Sequence, residues 1–258
     1  MLRELENMTW LEAEQAAKET DTILIPIGAV EPQGSHLPLG TDTIAAKYAA
    51  LKVGEKANVV VAPAIPIGYS AWFKGFPGLM SLRKETLTEV LRQYCRSLAT
   101  SGFTRQIFFS PHFGNNDVIA EVGVELRNEG IRVAMINLWH VTNQIIKNKN
   151  LEFKEAHFTH AGEVMTSIMM AIAPETVKME TAVAEYPDSK VPNGKWAGLF
   201  DVNYKGINYS VYHFSGEDSK SNAYGDPMAA TPEKGRQLID GWVESITDFI
   251  EDFKTYNL

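Results

Sequence analysis

The stretch that decides the fold spans residues 22–42 and reads TILIPIGAVEPQGSHLPLGTD. Its first nine residues form an apolar run, which predicts a buried β-strand. Glu31 follows this run directly, and Asp42 stands at the head of a segment, residues 43–53, that has the spacing of a helix. With His36 between them, the stretch brings two carboxylates and an imidazole to one edge of a predicted sheet.

Strand and helix patterns alternate along the rest of the chain. Further strands are predicted at residues 58–63, 106–110 and 132–138, and helices at residues 10–18, 43–56, 84–101, 115–129, 162–172 and 232–253. This alternation is typical of an α/β fold with a mostly parallel central sheet and helices on both of its faces.

Three segments interrupt the alternation. Residues 65–82 mix aromatic residues with repeated glycine and proline, which predicts a long functional loop. Residues 143–158 are polar and are predicted to be irregular. Between residues 175 and 232 the periodicity fades, which indicates either a meandering excursion or a contact between subunits.

Length and composition restrict the class of protein. The 258 residues contain no Pro/Ser-rich linker, so we expect one domain over residues 1–258. The net charge of −8 and the lack of a Lys/Arg-rich run argue against nucleic acid as a partner. No apolar run is long enough to span a membrane, and the first thirty residues lack the layout of a signal peptide. The single cysteine, Cys95, fits a reducing compartment, so we expect a cytoplasmic enzyme with a small-molecule substrate.

Chemically active residues cluster where strands and helices are expected to connect. In open α/β sheets, ligands bind at the carboxyl ends of the strands, so connections that are distant in sequence can meet there. The candidate residues are Glu31, His36, Asp42, His112, His157, His160 and Glu163. Carboxylates and imidazoles suit Zn²⁺, Mn²⁺ or Fe²⁺. A bound divalent ion would lower the pKa of water towards ~7 and supply hydroxide to attack a carbonyl, which indicates a metal-assisted hydrolase.

Each candidate also has a plain structural interpretation. Asp42 is equally suited to capping a helix, His112 after a proline can be a turn residue, and Glu163 can favour a helix dipole. Trp72 and Trp139 can line a substrate pocket or pack in the core or between subunits. The joint occurrence of acids and histidines at three connections favours the functional interpretation.

Several motifs together resemble the creatininase (creatinine amidohydrolase) family. Residues 28–42, GAVEPQGSHLPLGTD, match nearly throughout the family signature Gly-x-x-Glu-x-His-Gly-x-His-Leu-Pro-Leu-x-Thr-Asp. Other motifs follow in the family's order: Phe76-Pro77-Gly78, His112-x-Gly-Asn, His160-Ala-Gly-Glu163, and Tyr224-Gly225-Asp226-Pro227 with Glu233-Lys234-Gly235. The resemblance implies a three-layer α/β/α sandwich, a homo-oligomer that is often a hexamer, and a metal centre that hydrolyses amide bonds in small, frequently cyclic compounds.

The resemblance also implies roles for individual residues. Glu31, Asp42 and His112 would hold one divalent ion, Zn or Mn with Fe as a third option, and Asp42 would bridge to a second. His160 would shuttle a proton to the leaving group. Glu163 would be a further ligand or the base that orients the attacking water. Substrate-binding roles are expected for Trp72, Lys74, Phe113, Trp139 and His157.

Two departures from the family pattern affect the metal centre. Gln33 stands where the family has a metal-binding histidine, and Gly114 stands where creatininase itself has a glutamate ligand. A neutral amide is a much poorer ligand than imidazole, so one ion is better supported than two.

Substitutions around the substrate site disfavour creatinine as the substrate. Residues 156–159, AHFT, lack the tryptophan that closes over the creatininase ring, and residue 113 is phenylalanine where tyrosine is expected. The leading expectation is therefore hydrolysis of a C–N bond in another small carbonyl compound. The alternatives are hydrolysis of a carbon–carbon bond in a cyclic keto-sugar such as a keto-inositol, a metal-dependent isomerase or lyase, and a non-catalytic binding or assembly module.

Overall fold

The computed structural model describes residues 3–155, 159–189, 191–198 and 200–256. The strands of the main sheet are β1 (Arg3–Glu4), β2 (Thr22–Pro26), β3 (Val60–Val61), β4 (Arg105–Ser110) and β5 (Arg132–Asn137). The α-helices are α1 (Trp10–Glu19), α2 (Thr41–Ala57), α3 (Lys84–Thr100), α4 (Asn116–Leu126), α5 (Leu138–Asn148), α6 (Glu163–Ile172) and α7 (Pro232–Thr255). Among these, no helix is both long and apolar enough to cross a membrane.

The five strands form one parallel sheet in the order β1-β3-β2-β4-β5. The central pair is β2 and β4, in which Leu24 is opposite Ile107. Because all strands run in one direction, their carboxyl ends share one edge of the sheet, and the connections that carry polar residues start from this edge. The prediction of a mostly parallel sheet is confirmed.

Alternate residues of the central strands point to opposite faces of the sheet, as strand geometry requires. Leu24 and Ile107 pack in one apolar cluster with helices α2, α5, α6 and α7. Ile23 and Phe108 pack in a second cluster with α1, α3 and α4, which also buries Cys95. The protein is therefore a three-layer α/β/α sandwich, as the sequence resemblance implied.

The start of helix α2 positions one candidate ligand. Thr41 is the first helical residue and Gly40 is the N-cap, so Asp42 lies inside the first turn and is not the cap. By contrast, α1 begins with a capping box, in which Thr9 Oγ1 accepts from the Glu12 amide and the Glu12 carboxylate accepts from the Thr9 amide. The carboxylate of Asp42 is thus free of a capping role and remains available for other chemistry.

Helix α5 corrects part of the prediction that residues 143–158 are irregular, because residues 143–148 are helical whereas residues 149–155 form no helix or strand. The helix covers Leu138–Asn148, and Asn137 caps it by accepting from the His140 amide at 2.9 Å. Its apolar side chains recur on one face, where Leu138, Ile145 and Ile146 are buried against the core. The many polar residues of this segment form its outer face, which concealed the helical spacing. Residues 156–158 lie outside the part of the chain that the structure describes.

The excursion predicted between residues 175 and 232 contains a small antiparallel sheet. Its strands are β6 (Lys195–Trp196), β7 (Asp201–Tyr204) and β8 (Ile207–Ser210), in the order β6-β7-β8. Lys205 and Gly206 join β7 to β8 with positive φ values of 53° and 89°, as a tight hairpin turn requires. Residues 195–198 and 200–212 are called the flap below.

Candidate metal centre

Three side chains converge at the carboxyl edge of the sheet. Glu31 lies in the connection after β2, Asp42 in the first turn of α2, and His112 two residues after β4. His112 Nδ1 is 3.2 Å from Glu31 Oε2 and 3.2 Å from Asp42 Oδ2. All three side chains are buried, with exposed fractions of 1%, 1% and 4%. The structure therefore brings together the three residues expected to hold an ion.

The loop over residues 65–82 orients this group. His112 Nε2 is 2.7 Å from the carbonyl oxygen of Tyr69, and Ser70 Oγ donates to Glu31 Oε2 at 2.6 Å. Since a carbonyl oxygen can only accept, His112 Nε2 carries a proton, and Nδ1 is the nitrogen that faces the carboxylates. Metal-binding histidines are commonly oriented by such an outer hydrogen bond.

The electrostatics of this group favour a positive charge between the two carboxylates. Burial, together with the neighbouring Glu31, raises the pKa of Asp42 to about 7. Burial alone would lower the pKa of His112, but Glu31 and Asp42 raise it well above its ordinary value. Two buried carboxylates whose oxygens lie within 4.8 Å of each other are costly unless a cation lies beside them.

The donor set fits a divalent ion. The candidate ligand atoms of Glu31, Asp42 and His112 all lie within 4.8 Å of one another. Ligands of a tetrahedral zinc at about 2.1 Å would lie roughly 3.4 Å apart, which is close to the 3.2 Å separations seen here. Asp42 Oδ2 is buried and accepts no hydrogen bond from the described residues, which leaves this oxygen available to an ion.

Gln33 completes the polar group on the carboxylate side. Its side chain is only 2% exposed. Its amide Nε2 donates to Glu31 Oε1 at 3.3 Å and to Asp42 Oδ1 at 3.1 Å. These oxygens are the ones that do not face His112.

His160 lies on the wall of the same cavity and is held by aromatic rings. Phe73 stacks on its imidazole with 5.0 Å between the ring centroids, and Tyr224 contacts it edge-on with 6.0 Å between the centroids. His160 Nε2 is 2.9 Å from the carbonyl oxygen of Pro32, so Nε2 carries the proton. Burial lowers the pKa of His160. The imidazole is therefore neutral at pH 7, with Nδ1 as its basic nitrogen.

The structure does not bring Glu163 to this group. Its carboxylate is fully buried at the start of α6, where one oxygen pairs with Lys234. The other oxygen accepts from the Lys154 amide at 2.6 Å and from the Glu155 amide at 3.1 Å. Glu163 is absent from the described residues that line the cavity. This geometry does not support the interpretation of Glu163 as a ligand or base, because both oxygens are already used.

Glu155 is a site-supporting residue that the sequence interpretation missed. It accepts from Thr159 Oγ1 at 2.5 Å, from the Asp226 amide at 2.7 Å and from the Glu163 amide at 3.1 Å. These contacts fix the flanks of the segment that carries His160. No motif marks Glu155 in the sequence, since two of these donors are backbone amides, which leave no trace in residue type.

A cavity of about 770 Å³ opens above the carboxylate and histidine group. Of the predicted substrate-binding residues, Trp72, Phe113 and Trp139 line it, and Trp72 also stacks on His112 at 5.9 Å. Lys74 does not line the cavity; it is exposed and lies over the ring of Phe214. His157 lies outside the described residues.

The flap supplies part of the cavity wall, which the sequence did not predict. Trp196, Phe200 and Tyr212 line the cavity from this side. Phe200 contacts Trp72 edge-on at 5.4 Å, so the flap and the loop over residues 65–82 meet across aromatic rings. The only sequence signal was the aromatic and glycine content of the segment.

His36, despite its place in the central motif, lies apart from this group. Its Nε2 is 2.8 Å from Thr166 Oγ1 on α6, and burial lowers its pKa to about 4. His36 therefore joins the connection after β2 to helix α6 as a neutral side chain.

Comparison with known proteins identifies the family. The model for the creatininase family, described as creatinine amidohydrolase, matches residues 6–250. The chain is 27% identical to a creatinine amidohydrolase of Pseudomonas putida, with 95% of each chain covered. It is 26% identical to a 3-dehydro-scyllo-inosose hydrolase of Thermotoga maritima, covering 96% of this chain and 82% of the relative. It is 29% identical to a mycofactocin precursor peptide peptidase of Mycolicibacterium smegmatis, with 89% and 84% covered.

Solved structures agree with this relationship at the level of the fold. A creatininase structure described as a Mn form superposes with a TM-score of 0.80 at 23% identity, covering 98% of both chains. A creatininase variant described as a Zn-Zn form superposes with a TM-score of 0.78 at 23% identity, covering 96% of this chain and 97% of that chain. With the family model matching nearly the whole sequence, the chain belongs to the creatininase family.

Proposed function

We propose that this protein is a metal-dependent hydrolase that cleaves a C–N bond in a small polar carbonyl compound other than creatinine. The observation that carries this proposal is the buried group of Glu31, Asp42 and His112 below an aromatic cavity that His160 also lines. A divalent ion bound there, zinc or manganese, would polarise the carbonyl and lower the pKa of water.

The residues of the chain have separable tasks in this reaction. The Tyr69 carbonyl and Ser70 hydroxyl keep His112 and Glu31 oriented towards the ion. His160 is neutral, and its Nε2 proton is held by the Pro32 carbonyl, so its Nδ1 can accept a proton from the attacking water. The same nitrogen can then deliver this proton to the departing amine, which completes hydrolysis without a net change in His160.

The cavity supports a small substrate. Its volume of about 770 Å³ lies in the range of sites for small molecules, and its aromatic walls suit a flat or cyclic compound. The named relatives act, by their names, on creatinine, on an inosose and on a precursor peptide, so the family cleaves more than one kind of carbonyl compound.

A second candidate is hydrolysis of a carbon–carbon bond in a cyclic keto-sugar. It is favoured by the similarity to the inosose hydrolase, which extends over 96% of this chain. The same ion and the same histidine would serve it, because attack of water on a ketone also needs a polarised carbonyl and a proton donor for the leaving carbon. A substrate panel that includes lactams, formamides and keto-inositols distinguishes the two candidates.

The decisive experiment combines metal analysis with turnover. In His112→Ala we expect loss of bound metal, because one of three ligands is removed. In His160→Ala we expect retained metal and at least a 100-fold lower turnover, since general acid–base catalysis typically contributes about 10²–10⁴-fold. His140→Ala, which changes an exposed histidine on α5, is the matched control and should keep both properties.

Three outcomes would count against the proposal. Purified protein that holds no stoichiometric metal and hydrolyses nothing with added Zn²⁺ or Mn²⁺ would point to a binding or assembly module. A product that gains no label from ¹⁸O-water would indicate an isomerase or lyase. Turnover that is unchanged in His160→Ala would remove the proposed role of this histidine.

Assembly and location belong to the same proposal. We propose a homo-oligomer, in the form of a hexamer, that acts in the cytoplasm on a small molecule without nucleic-acid or membrane partners. The exposed apolar side chains Ile207, Tyr209 and Tyr212 on and beside β8 support a subunit contact at the flap. Native mass spectrometry would show a species of six 28.7 kDa chains, whereas a monomer would contradict this assembly.

A further inference from the structure

The side chain of Gln33 connects the two carboxylates of the candidate metal centre. Glu31 and Asp42 each direct one oxygen to His112 Nδ1 at 3.2 Å. The other oxygen of each carboxylate accepts from Gln33 Nε2, at 3.3 Å for Glu31 and 3.1 Å for Asp42. One oxygen of each carboxylate thus faces the imidazole and the other faces the amide, and the Glu31 oxygen that faces His112 also accepts from Ser70 Oγ.

The chemistry of the groups fixes the orientation of the Gln33 amide. Ionised carboxylate oxygens, the form that holds an ion, only accept hydrogen bonds, so the NH₂ group of the amide faces them and the carbonyl faces away. Both N–H bonds are then used, one for each carboxylate. Gln33 Oε1 is buried and has no hydrogen-bond partner in the part of the chain that the structure describes, which fits a side chain oriented by its NH₂ group.

This arrangement blocks a second ion beside the first. In two-metal sites the ions lie about 3.5–4 Å apart and share ligands, so a second ion would need an oxygen of Asp42 or Glu31 that faces away from His112. Those oxygens are held by N–H donors with partial positive charge. Turning the amide over would offer only a neutral oxygen to the ion and would lose both hydrogen bonds.

Residue 114 of the same chain, a glycine, offers no replacement ligand. A Cβ atom on Gly114 would lie 2.0 Å from the Tyr69 carbonyl oxygen and 2.6 Å from His112 Nε2. Any side chain there would displace the carbonyl that orients His112. A second ion would therefore lack ligands from both Gln33 and residue 114.

We propose that Gln33 makes this a one-ion centre, in which the amide N–H groups take the place of a second cation between Glu31 and Asp42. The inference rests on the proposed function only in that an ion binds to Glu31, Asp42 and His112. It assigns to Gln33 a positioning role, because the amide acts on the ligands and does not touch the ion.

Metal stoichiometry tests this inference without reference to turnover. Full-length protein is titrated with Zn²⁺ by calorimetry, and the metal content is measured after removal of unbound ion. We expect one ion per chain. With Mn²⁺, electron paramagnetic resonance should show only the signal of isolated ions, without the exchange-coupled signal of a pair.

Two variants test the role of Gln33 directly. Gln33→Glu keeps the shape of the side chain but replaces the N–H donors with a carboxylate, and it should raise the stoichiometry from one ion to two. Gln33→His supplies an imidazole at the same position and should act in the same direction. Gln93→Glu, the same change at an exposed position of α3, should leave the count at one.

Each result has a distinct meaning. Two ions in the unmodified protein would overturn the one-ion inference and leave the proposed hydrolase intact. No ion in the unmodified protein would overturn the proposed function itself. One ion in folded Gln33→Glu and Gln33→His would show that Gln33 does not set the count. Should neither variant fold, the count in the unmodified protein still decides between one ion and two.

Discussion

Gly114 is the residue on which the geometry of the candidate metal centre most closely depends. The space that its Cβ would occupy is taken by the Tyr69 carbonyl oxygen at 2.0 Å and by Trp72 Cη2 at 2.6 Å. Non-bonded atoms do not approach each other this closely. The backbone of the loop over residues 65–82 could therefore not keep its place beside any side chain at residue 114. The Tyr69 carbonyl would then no longer orient His112.

We predict that Gly114→Ala lowers the affinity for Zn²⁺ at least tenfold, because outer hydrogen bonds to ligands are commonly worth 10–100-fold in affinity. It should also destabilise the fold by about 1–3 kcal/mol through overpacking. Gly40→Ala is the control, since Gly40 also lies near the site but has a φ of −88° and open space around its Cβ. Equal zinc affinity in the two variants, measured by calorimetry, would contradict the prediction.

At the scale of residues, the sequence identified the members of the buried acid–histidine group better than it identified the groups that orient them. Glu31, Asp42 and His112 were identifiable because acids and histidines after predicted strands are unusual and chemically specific. Tyr69 acts through its backbone carbonyl, which leaves no trace in residue type. Glu163 was a candidate because it stands three residues after His160 in sequence, yet its partner Lys234 lies on a different helix.

Among the elements, the segment before helix α6 shows how the proposed proton shuttle is held in place. Glu163, in the first turn of α6, binds the amides of Lys154 and Glu155, and it pairs with Lys234 of α7. The two ends of the segment that carries His160 are thereby fixed to each other and to the last helix. A buried charge with three donors is well compensated, but it becomes costly when one partner is removed.

We predict that Glu163→Gln destabilises the fold by about 3–5 kcal/mol, because it leaves the Lys234 ammonium without its carboxylate. The folded variant should keep its bound ion. The control is Glu244→Gln, which removes a surface pair with Lys149 and should cost no more than about 1 kcal/mol. Urea denaturation and metal analysis of the same samples provide both readouts. Loss of the ion with unchanged stability would make Glu163 a ligand after all.

Helix α5 illustrates which elements can be predicted from sequence. Helices such as α3 can be predicted from their apolar face, which in α3 contains the buried Leu87, Leu91 and Leu98 at helical spacing. In α5 the second half is mostly polar, and only Ile145 and Ile146 continue the buried face that begins at Leu138. Whether a short apolar stripe is helical depends on what packs against it, and here that is helix α7.

At the scale of the whole molecule, binding of an ion would be linked to folding stability, because Glu31, Asp42 and His112 come together only in the folded chain. An ion present at 100 times its dissociation constant stabilises the folded state by about 2.7 kcal/mol. For a chain of this size, that corresponds to a rise in Tm of roughly 5–10 °C.

We therefore predict that Zn²⁺ raises the Tm of the protein and that a chelator reverses the rise. Asp42→Asn should lose most of the shift, since the amide cannot replace the carboxylate charge. Differential scanning fluorimetry measures the Tm of the unmodified protein with zinc and with chelator, and the Tm of Asp42→Asn with zinc. A Tm of the unmodified protein that is insensitive to both zinc and chelator would argue against an ion at this site.

The layered architecture was predictable because alternating strand and helix patterns restrict the topology to few solutions. The flap was not, since β6 and β8 contain two and four residues and their pairing depends on a hairpin at Lys205 and Gly206. The homo-oligomer remains a prediction from sequence resemblance, because subunit contacts are a property of more than one chain.

The strand order restricts the stage of folding at which an ion could bind. Pairing of β2 with β4 joins residues 22–26 to residues 105–109, and contacts between segments so distant in sequence form slowly. Glu31 and His112 can meet only after this pairing. An ion held by both residues could therefore bind only after β2 and β4 have paired, so it could not assist the earlier steps of folding.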